Sequence, residues 1–273
     1  NYSHFHVNTE EVLANRPLSE SWTQLQRESS IKHLEHEREV MTTKQYTQEY
    51  LGEFIADLHR WFTDDIIEKC CIMERPEIRR KQVSYYLGVD VARMGDDDST
   101  FQILHMIDPN NIIQVENIVT SKTRTTQTEE KILELNEQYD EIEKIYLDAG
   151  SGSLGVGILD MLLRRDETKR KVVAINNRAR SYDKDDKYKA KILKEDLYGN
   201  LLALMEQNKI KLLDDPDLKA SLRSVQYEYV MKEGQETKLR IFGNYTHIVE
   251  GLIRAAWCVK EKSLSIWIKS IKL

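Results

Sequence analysis

From residue 83 onward the chain alternates short apolar runs with amphipathic stretches in an order that few folds accommodate. "VSYYLGVDVA" (83–92) reads as a buried strand. "STFQILHMI" (99–107) and "NIIQVENIVTS" (111–121) read as the next two, joined by a turn at "DPNN". "TTQTEEKILELNEQY" is an amphipathic helix with Ile132, Leu133 and Leu135 inward. "EKIYLDAG" is a fourth strand, "LGVGILDMLLRR" a helix and "KVVAIN" a fifth strand. A charged helix covers about 187–208, "YEYV" and "TKLRIF" form a hairpin around Gly234, and "THIVEGLIRAAWCVKEK" closes as an amphipathic helix. Three strands in meander, then helix–strand–helix–strand–helix, imply an α/β layer fold with a mixed central sheet.

Residues 1–80 read differently. They are polar and helix-like, with Ser19 as a helix cap, Trp22 and Leu25 on one face, and a second apolar stripe at Tyr46, Tyr50, Leu51 and Phe54. The basic run "RPEIRRK" (75–81) reads as a linker. The expected division is a helical segment over 1–80 and an α/β domain over 81–273. The chain has 40 Lys and Arg against 46 Asp and Glu, a net charge of −6. Nucleic-acid binding must therefore use local basic patches and not the overall field. No run approaches the roughly 20 apolar residues that cross a bilayer, so no membrane is expected. Cys70, Cys71 and Cys258 are odd in number and lack metal spacing, which fits a reducing compartment.

The acids fall in informative places. Asp90 lies inside the apolar run "YYLGVDVA", and Asp148 ends the apolar strand "IYLDAG". A buried carboxylate is costly unless it is paired or bound to a cation. Two such strands side by side would bring the carboxylates together, where a hard divalent cation relieves their repulsion. The bland reading makes both acids strand-end caps. "GDDDST" adds Asp96, Asp97 and Asp98, one of which can reach back to a metal while the others form a polar turn. Gly150, Gly152 and Gly155 match the dinucleotide fingerprint formally. An acid precedes them, however, and they follow a late strand, so a turn for close backbone approach fits better. His247 and Glu250 stand one turn apart on the closing helix. Basic residues cluster at 164–171 and 176–194, either as solvated faces or as phosphate contacts.

These pieces together resemble the nuclease domain of viral large terminase subunits, the DNA-packaging motors of tailed viruses. "QEYLGEF", "YYLGVDVARMGDDDST", "IYLDAGSGSLGVGILDML" and "NYTHIVEGLIRAAW" are similar to family segments and occur in the family's order, over about residues 40–262. The resemblance implies a ribonuclease H-like fold, a mixed central sheet flanked by helices, with an N-terminal helical extension from the end of the ATPase region. It implies metal-dependent cleavage of double-stranded, concatemeric viral DNA during genome packaging in the cytoplasm of the infected host. The ATPase motor is missing, so an excised domain or fragment is expected, whose full-length partners would be the terminase small subunit and the portal protein.

The resemblance also implies roles. Asp90 and Asp148 match the first and second metal-binding aspartates, Asp97 the auxiliary acid and Ser99 the hydroxyl that follows. The family usually has His-Asp-Asp-Ile-Val-Asp-Ala-Leu in the closing helix. Here His247 stands where the third metal-binding aspartate is expected, and Glu250 where a further acid follows. The reading is a two-metal endonuclease using Mg²⁺ or Mn²⁺, with Asp90 bridging two ions, Asp148 holding one, and His247 with Glu250 the other. Imidazole shifts the preference toward Mn²⁺. The alternatives are a junction-resolving or transposase-like nuclease of the same fold, and a non-catalytic DNA-binding or assembly module with a degenerate site.

Overall fold

The computed structural model describes residues 7–41, 43–52, 60–76, 83–92, 98–139, 142–150, 153–177, 180–181, 191–230 and 238–260. The chain divides into two compact units, Asn1–Leu58 and His59–Leu273.

The first unit is helical: α1 (Thr9–Asn15), α2 (Gln24–Val40) and α3 (Thr43–Glu49). Helix α2 starts at Thr23 and not at Ser19. Thr23 and Gln26 form a reciprocal capping box in which Thr23 N–H donates to Gln26 Oε1 (2.8 Å). That pair satisfies two otherwise unpaired donors. Ser19 instead pairs with Trp22 in a short bridge.

The second unit begins with α4 (Asp64–Cys70) and β1 (Cys71–Met73), in the stretch read above as helical segment and linker. Trp61, Phe62 and Ile67 are buried in its core. Then come β2 (Tyr85–Asp90), β3 (Asp98–Asp108), β4 (Asn111–Ser121), α5 (Thr125–Gln138), β5 (Ile142–Asp148), α6 (Gly155–Leu163) and β6 (Val172–Ile175). A small ladder of β7 (Arg180–Ser181) and β8 (Lys191–Ile192) leads into α7 (Leu193–Glu206), β9 (Ile210–Leu213) and α8 (Pro216–Ser224). The hairpin of β10 (Gln226–Val230) and β11 (Lys238–Phe242) precedes the closing helix α9 (His247–Ala256).

Among the described residues, seven strands make one sheet in the order β1-β9-β4-β3-β2-β5-β6. β2, β3 and β4 form the antiparallel meander, and β5 and β6 add in parallel on the β2 side. This is the mixed central sheet that the order of elements implied. The sequence reading overlooked β9 and α8. "IKLL" is short, and it pairs in parallel beside β4 at Ile112 and Ile113. The side chain of the buried Gln114 accepts from Leu213 N–H (3.0 Å) and secures the join. Helix α8 is announced by Asp215, whose side chain caps Leu218 N–H, with Pro216 at the first helical position.

Strand parity decides which face each side chain takes. Tyr85, Leu87 and Val89 of β2, with Ile145 and Leu147 of β5, pack under α5 and α6 with Ile132, Leu135, Ile158 and Leu162. Tyr86 and Tyr146 point to the other face, into the core built with α7, α8 and α9. Asp90 and Asp148 share the parity of Tyr86 and Tyr146. They therefore emerge on the α9 face of adjacent parallel strands.

Helix α9 comes very close to β2. A Cβ on Gly88 would lie 2.1 Å from Gly251 O and 2.4 Å from Ala255 N. The missing side chain at Gly88 is what lets the helix sit directly on the strand beside Asp90. At the end of β5, Gly155 plays the same part, since a Cβ there would lie 1.7 Å from Asp148 O. The third glycine of the dinucleotide-like run thus serves helix–strand packing. Among the described residues no helix is long and apolar enough to cross a membrane.

Candidate active site

At the carboxyl ends of β2 and β5 the two aspartates converge on one side chain. Arg254, in the last turn of α9, is fully buried. Its Nη1 lies 3.2 Å from Asp90 Oδ1 and its Nη2 lies 3.3 Å from Asp148 Oδ2. The same Nη2 lies 3.3 Å from Glu250 Oε2, one turn back on the helix. Arg254 also donates to the Glu250 carbonyl. Guanidinium is a planar fork that never deprotonates in proteins, so it suits several carboxylates at once.

The remaining carboxylate oxygens have partners as well. His247 Nδ1 lies 3.1 Å from Asp90 Oδ2. The Asp90 carboxylate accepts a hydrogen bond from that nitrogen, which therefore carries a proton. Asp148 Oδ1 accepts from Gly150 N–H (3.1 Å), and Ser153 Oγ–H donates to Asp148 O (3.1 Å). Glu250 Oε1 accepts from Tyr198 O–H (2.8 Å) and pairs with Lys194 Nζ (3.0 Å). Thr100, the β3 partner of Asp90, donates from Oγ1 to His247 O (2.8 Å) and pins the first turn of α9 to the sheet.

Exposure separates these groups into an inner and an outer set. The side chains of Asp90, Asp148 and His247 are 14%, 26% and 27% exposed. Glu250 and Arg254 are enclosed. Burial would push the Glu250 carboxyl up, but Arg254, then Lys194 and the Tyr198 hydroxyl, hold it below its ordinary 4.5. The folded value lies below the unfolded one, so its stabilisation is complete above about pH 4.5 and is lost as pH falls through the folded value. Glu250→Gln should therefore melt well below the parent near pH ~7, with the gap closing as pH drops under about 4. Thermal unfolding across that range measures it, and a constant gap would contradict it.

No protein-family model and no curated protein sequence matches the chain. Solved structures do. The large terminase nuclease of thermophilic phage G20c superposes with a TM-score of 0.55 at 19% identity, over 72% of this chain and 97% of that one. The fold is that of a large terminase nuclease domain. The same phage nuclease with bound magnesium gives 0.52 at 18% identity, over 73% and 97%. The large terminase of another thermophilic bacteriophage gives 0.57 at 13% identity, over 93% of this chain but 55% of that one. The chain thus spans about half of that larger terminase.

Set on this terminase nuclease fold, the candidate residues sort as follows. Asp90, Asp148, His247 and Glu250 gather around Arg254. Asp97 lies outside the described residues, as do Asp96 and most of the basic stretch 176–194. Asp98 starts β3 and accepts from Ser121 Oγ–H (2.6 Å). Ser99 Oγ accepts from Ala92 N–H (2.9 Å) and donates to Ala92 O (3.1 Å), stitching the end of β2 to β3. The basic run 164–171 precedes β6, whose Ile175 is the residue beside Asp148. It therefore sits at the opposite end of the strand from the acids. There Arg165 pairs with Glu129 (2.8 Å), and Lys171 donates to Asn136 Oδ1 (2.8 Å).

The residue that sequence reasoning missed is Arg254. Its signal was present as a single cation in the apolar run "IVEGLIRAA", four residues after Glu250 and seven after His247. That spacing keeps all three on one helix face.

The donors suit a divalent cation in chemistry: two partly open carboxylates supply hard oxygens, and His247 supplies a softer nitrogen. As they stand, no three acidic, histidine or cysteine side chains among the described residues form a ready metal cage. The guanidinium lies between Asp90 and Asp148.

Proposed function

We propose that this chain is a divalent-metal-dependent endonuclease that cuts double-stranded viral DNA during genome packaging, as the nuclease domain of a large terminase. The observation that carries the reading is the meeting of Asp90 and Asp148, from adjacent parallel strands, on one buried cation beside His247. Support also comes from the fold, shared with nucleases such as that of phage G20c, which has been solved with magnesium and with cobalt. In this reading Asp90 and Asp148 hold the metal, with Asp97 as auxiliary acid. A divalent cation bound there lowers the pKa of a water and offsets the charge that builds on the phosphate.

The protein's own groups do the rest. His247, which donates from Nδ1 to Asp90, keeps that carboxylate turned toward the site. Glu250 holds Arg254 and Lys194 in place, which we assign to it instead of metal ligation. Lys194, about a third exposed, offers a phosphate contact at the edge of the acids. Such backbone contacts carry no base readout, so cleavage should show low sequence preference and strong salt sensitivity. The packaging setting places the activity in the infected host's cytoplasm, with an ATPase region, a small subunit and a portal as partners.

The test is incubation of the purified chain with supercoiled plasmid in Mg²⁺ or Mn²⁺, beside a chelator control and a four-way junction. Nicked and linear products that need the metal support the reading. Preferential cutting of the junction points to a resolvase of the same fold. A non-catalytic module is the second reading, favoured by the arginine set among the acids. Duplex binding without cleavage in any divalent metal would establish it.

A further inference from the structure

Arg254 bears on how many cations the site accepts. Among the described residues its guanidinium is set among three carboxylates, Asp90, Asp148 and Glu250. A divalent cation added beside a buried guanidinium is repelled by it, and solvent screens that repulsion poorly in an enclosed place.

The position of the guanidinium says the same. An ion that bridges two carboxylates takes one oxygen from each. Arg254 already takes Asp90 Oδ1 and Asp148 Oδ2. It cannot swing away easily: its side chain is 1% exposed, and Glu250 anchors it from the same helix through both carboxylate and carbonyl. Its Nε has no hydrogen-bond partner among the described residues. A buried donor left unsatisfied is unfavourable, so this arginine is kept in place by charge and not by an ideal hydrogen-bond fit.

We infer that Arg254 is a built-in cation that takes the place of one of two metal ions, so that this site binds a single divalent cation. The inference rests on the nuclease reading and narrows it. Arg254 acts through Asp90 and Asp148 and is a positioning residue. It holds the carboxylates together without metal and sets how many ions they accept.

The experiment is titration of the purified chain with Mn²⁺, followed by calorimetry and by electron paramagnetic resonance, with plasmid cleavage read on the same samples. The parent should bind one ion per chain. Arg254→Gln should bind a second ion, or the first about tenfold more tightly. It should also melt earlier without metal and gain more from Mn²⁺ than the parent does. Two ions per parent chain with cleavage intact would overturn the inference and leave the nuclease reading standing. No ion and no cleavage would remove both. Unchanged stoichiometry and affinity in Arg254→Gln would also overturn the inference. Should that variant fail to fold, the parent's own stoichiometry decides, and Arg254→Lys, which keeps the charge, should bind a single ion as the parent does.

Discussion

Asp148→Asn should abolish cleavage of plasmid in Mn²⁺ while leaving the fold intact. The exchange keeps shape and volume and removes one negative charge from the outer, solvent-facing part of the cluster. The amide can still accept from Gly150 N–H, as Oδ1 does now. Its NH₂ then faces Arg254 Nη2, which is a donor against a donor, so that contact is lost. Arg254 keeps Asp90 and Glu250 as partners, and the stability cost should stay near ~1–2 kcal/mol. On the proposed function the effect on chemistry is far larger, because a metal-binding carboxylate acts as part of a unit whose members fail together. A loss of about three orders of magnitude in rate is expected. Circular dichroism and a melting curve establish the fold, and a time course of supercoiled plasmid reads the activity. A folded variant with full activity would remove Asp148 from the mechanism.

The second large effect is on folding. Gly88→Val should cost more than about 3 kcal/mol, out of the roughly 5–15 that a domain of this kind has. The Cβ would sit 2.1 Å from Gly251 O and 2.4 Å from Ala255 N, and both of these are backbone atoms that cannot rotate aside. Relief requires α9 to lift off β2, which carries His247, Glu250 and Arg254 away from Asp90. The clash therefore couples stability to the site, and any folded fraction should be inactive as well. Chemical denaturation measures the first effect and plasmid cleavage the second. A Gly88→Val protein as stable as its parent would mean that α9 does not pack on β2 as described.

The placement of the acids could be read from the sequence because it depends on two local rules. Asp90 stands two residues after Gly88 and four after Tyr86, and Asp148 stands two after Tyr146. Strand parity fixes their common face. That β2 and β5 lie side by side is what the sheet itself adds. What escaped depends on pairing between distant segments. β9 is four residues long and becomes a strand by lying beside β4, a partner about a hundred residues away in sequence. Its apolar pattern by itself suits a helix end equally well. The cap at Ser19 lost to Thr23 because only Thr23 has a glutamine at the right offset for a capping box.

The site shows the same division. His247 and Glu250 share a helix face, which suggests one joint role, yet the structure sends them to different partners. His247 meets Asp90, and Glu250 turns to Arg254, Lys194 and Tyr198. Arg254 was hidden by the apolar pattern around it, since an amphipathic helix is judged by its apolar residues. A single cation within such a face carries the sharper message: it cannot be buried without anions to meet it. The basic run 164–171 left two readings open, a solvated face or a phosphate contact, and the strand direction of β6 puts it at the far end from Asp148.

The most direct measurement of the central claim is the anomalous scattering of Mn²⁺ soaked into crystals of this chain. The account predicts one strong peak, coordinated by oxygens of both Asp90 and Asp148, with Arg254 still between the carboxylates. A peak held by neither aspartate, or by one of them while the other turns elsewhere, would contradict it.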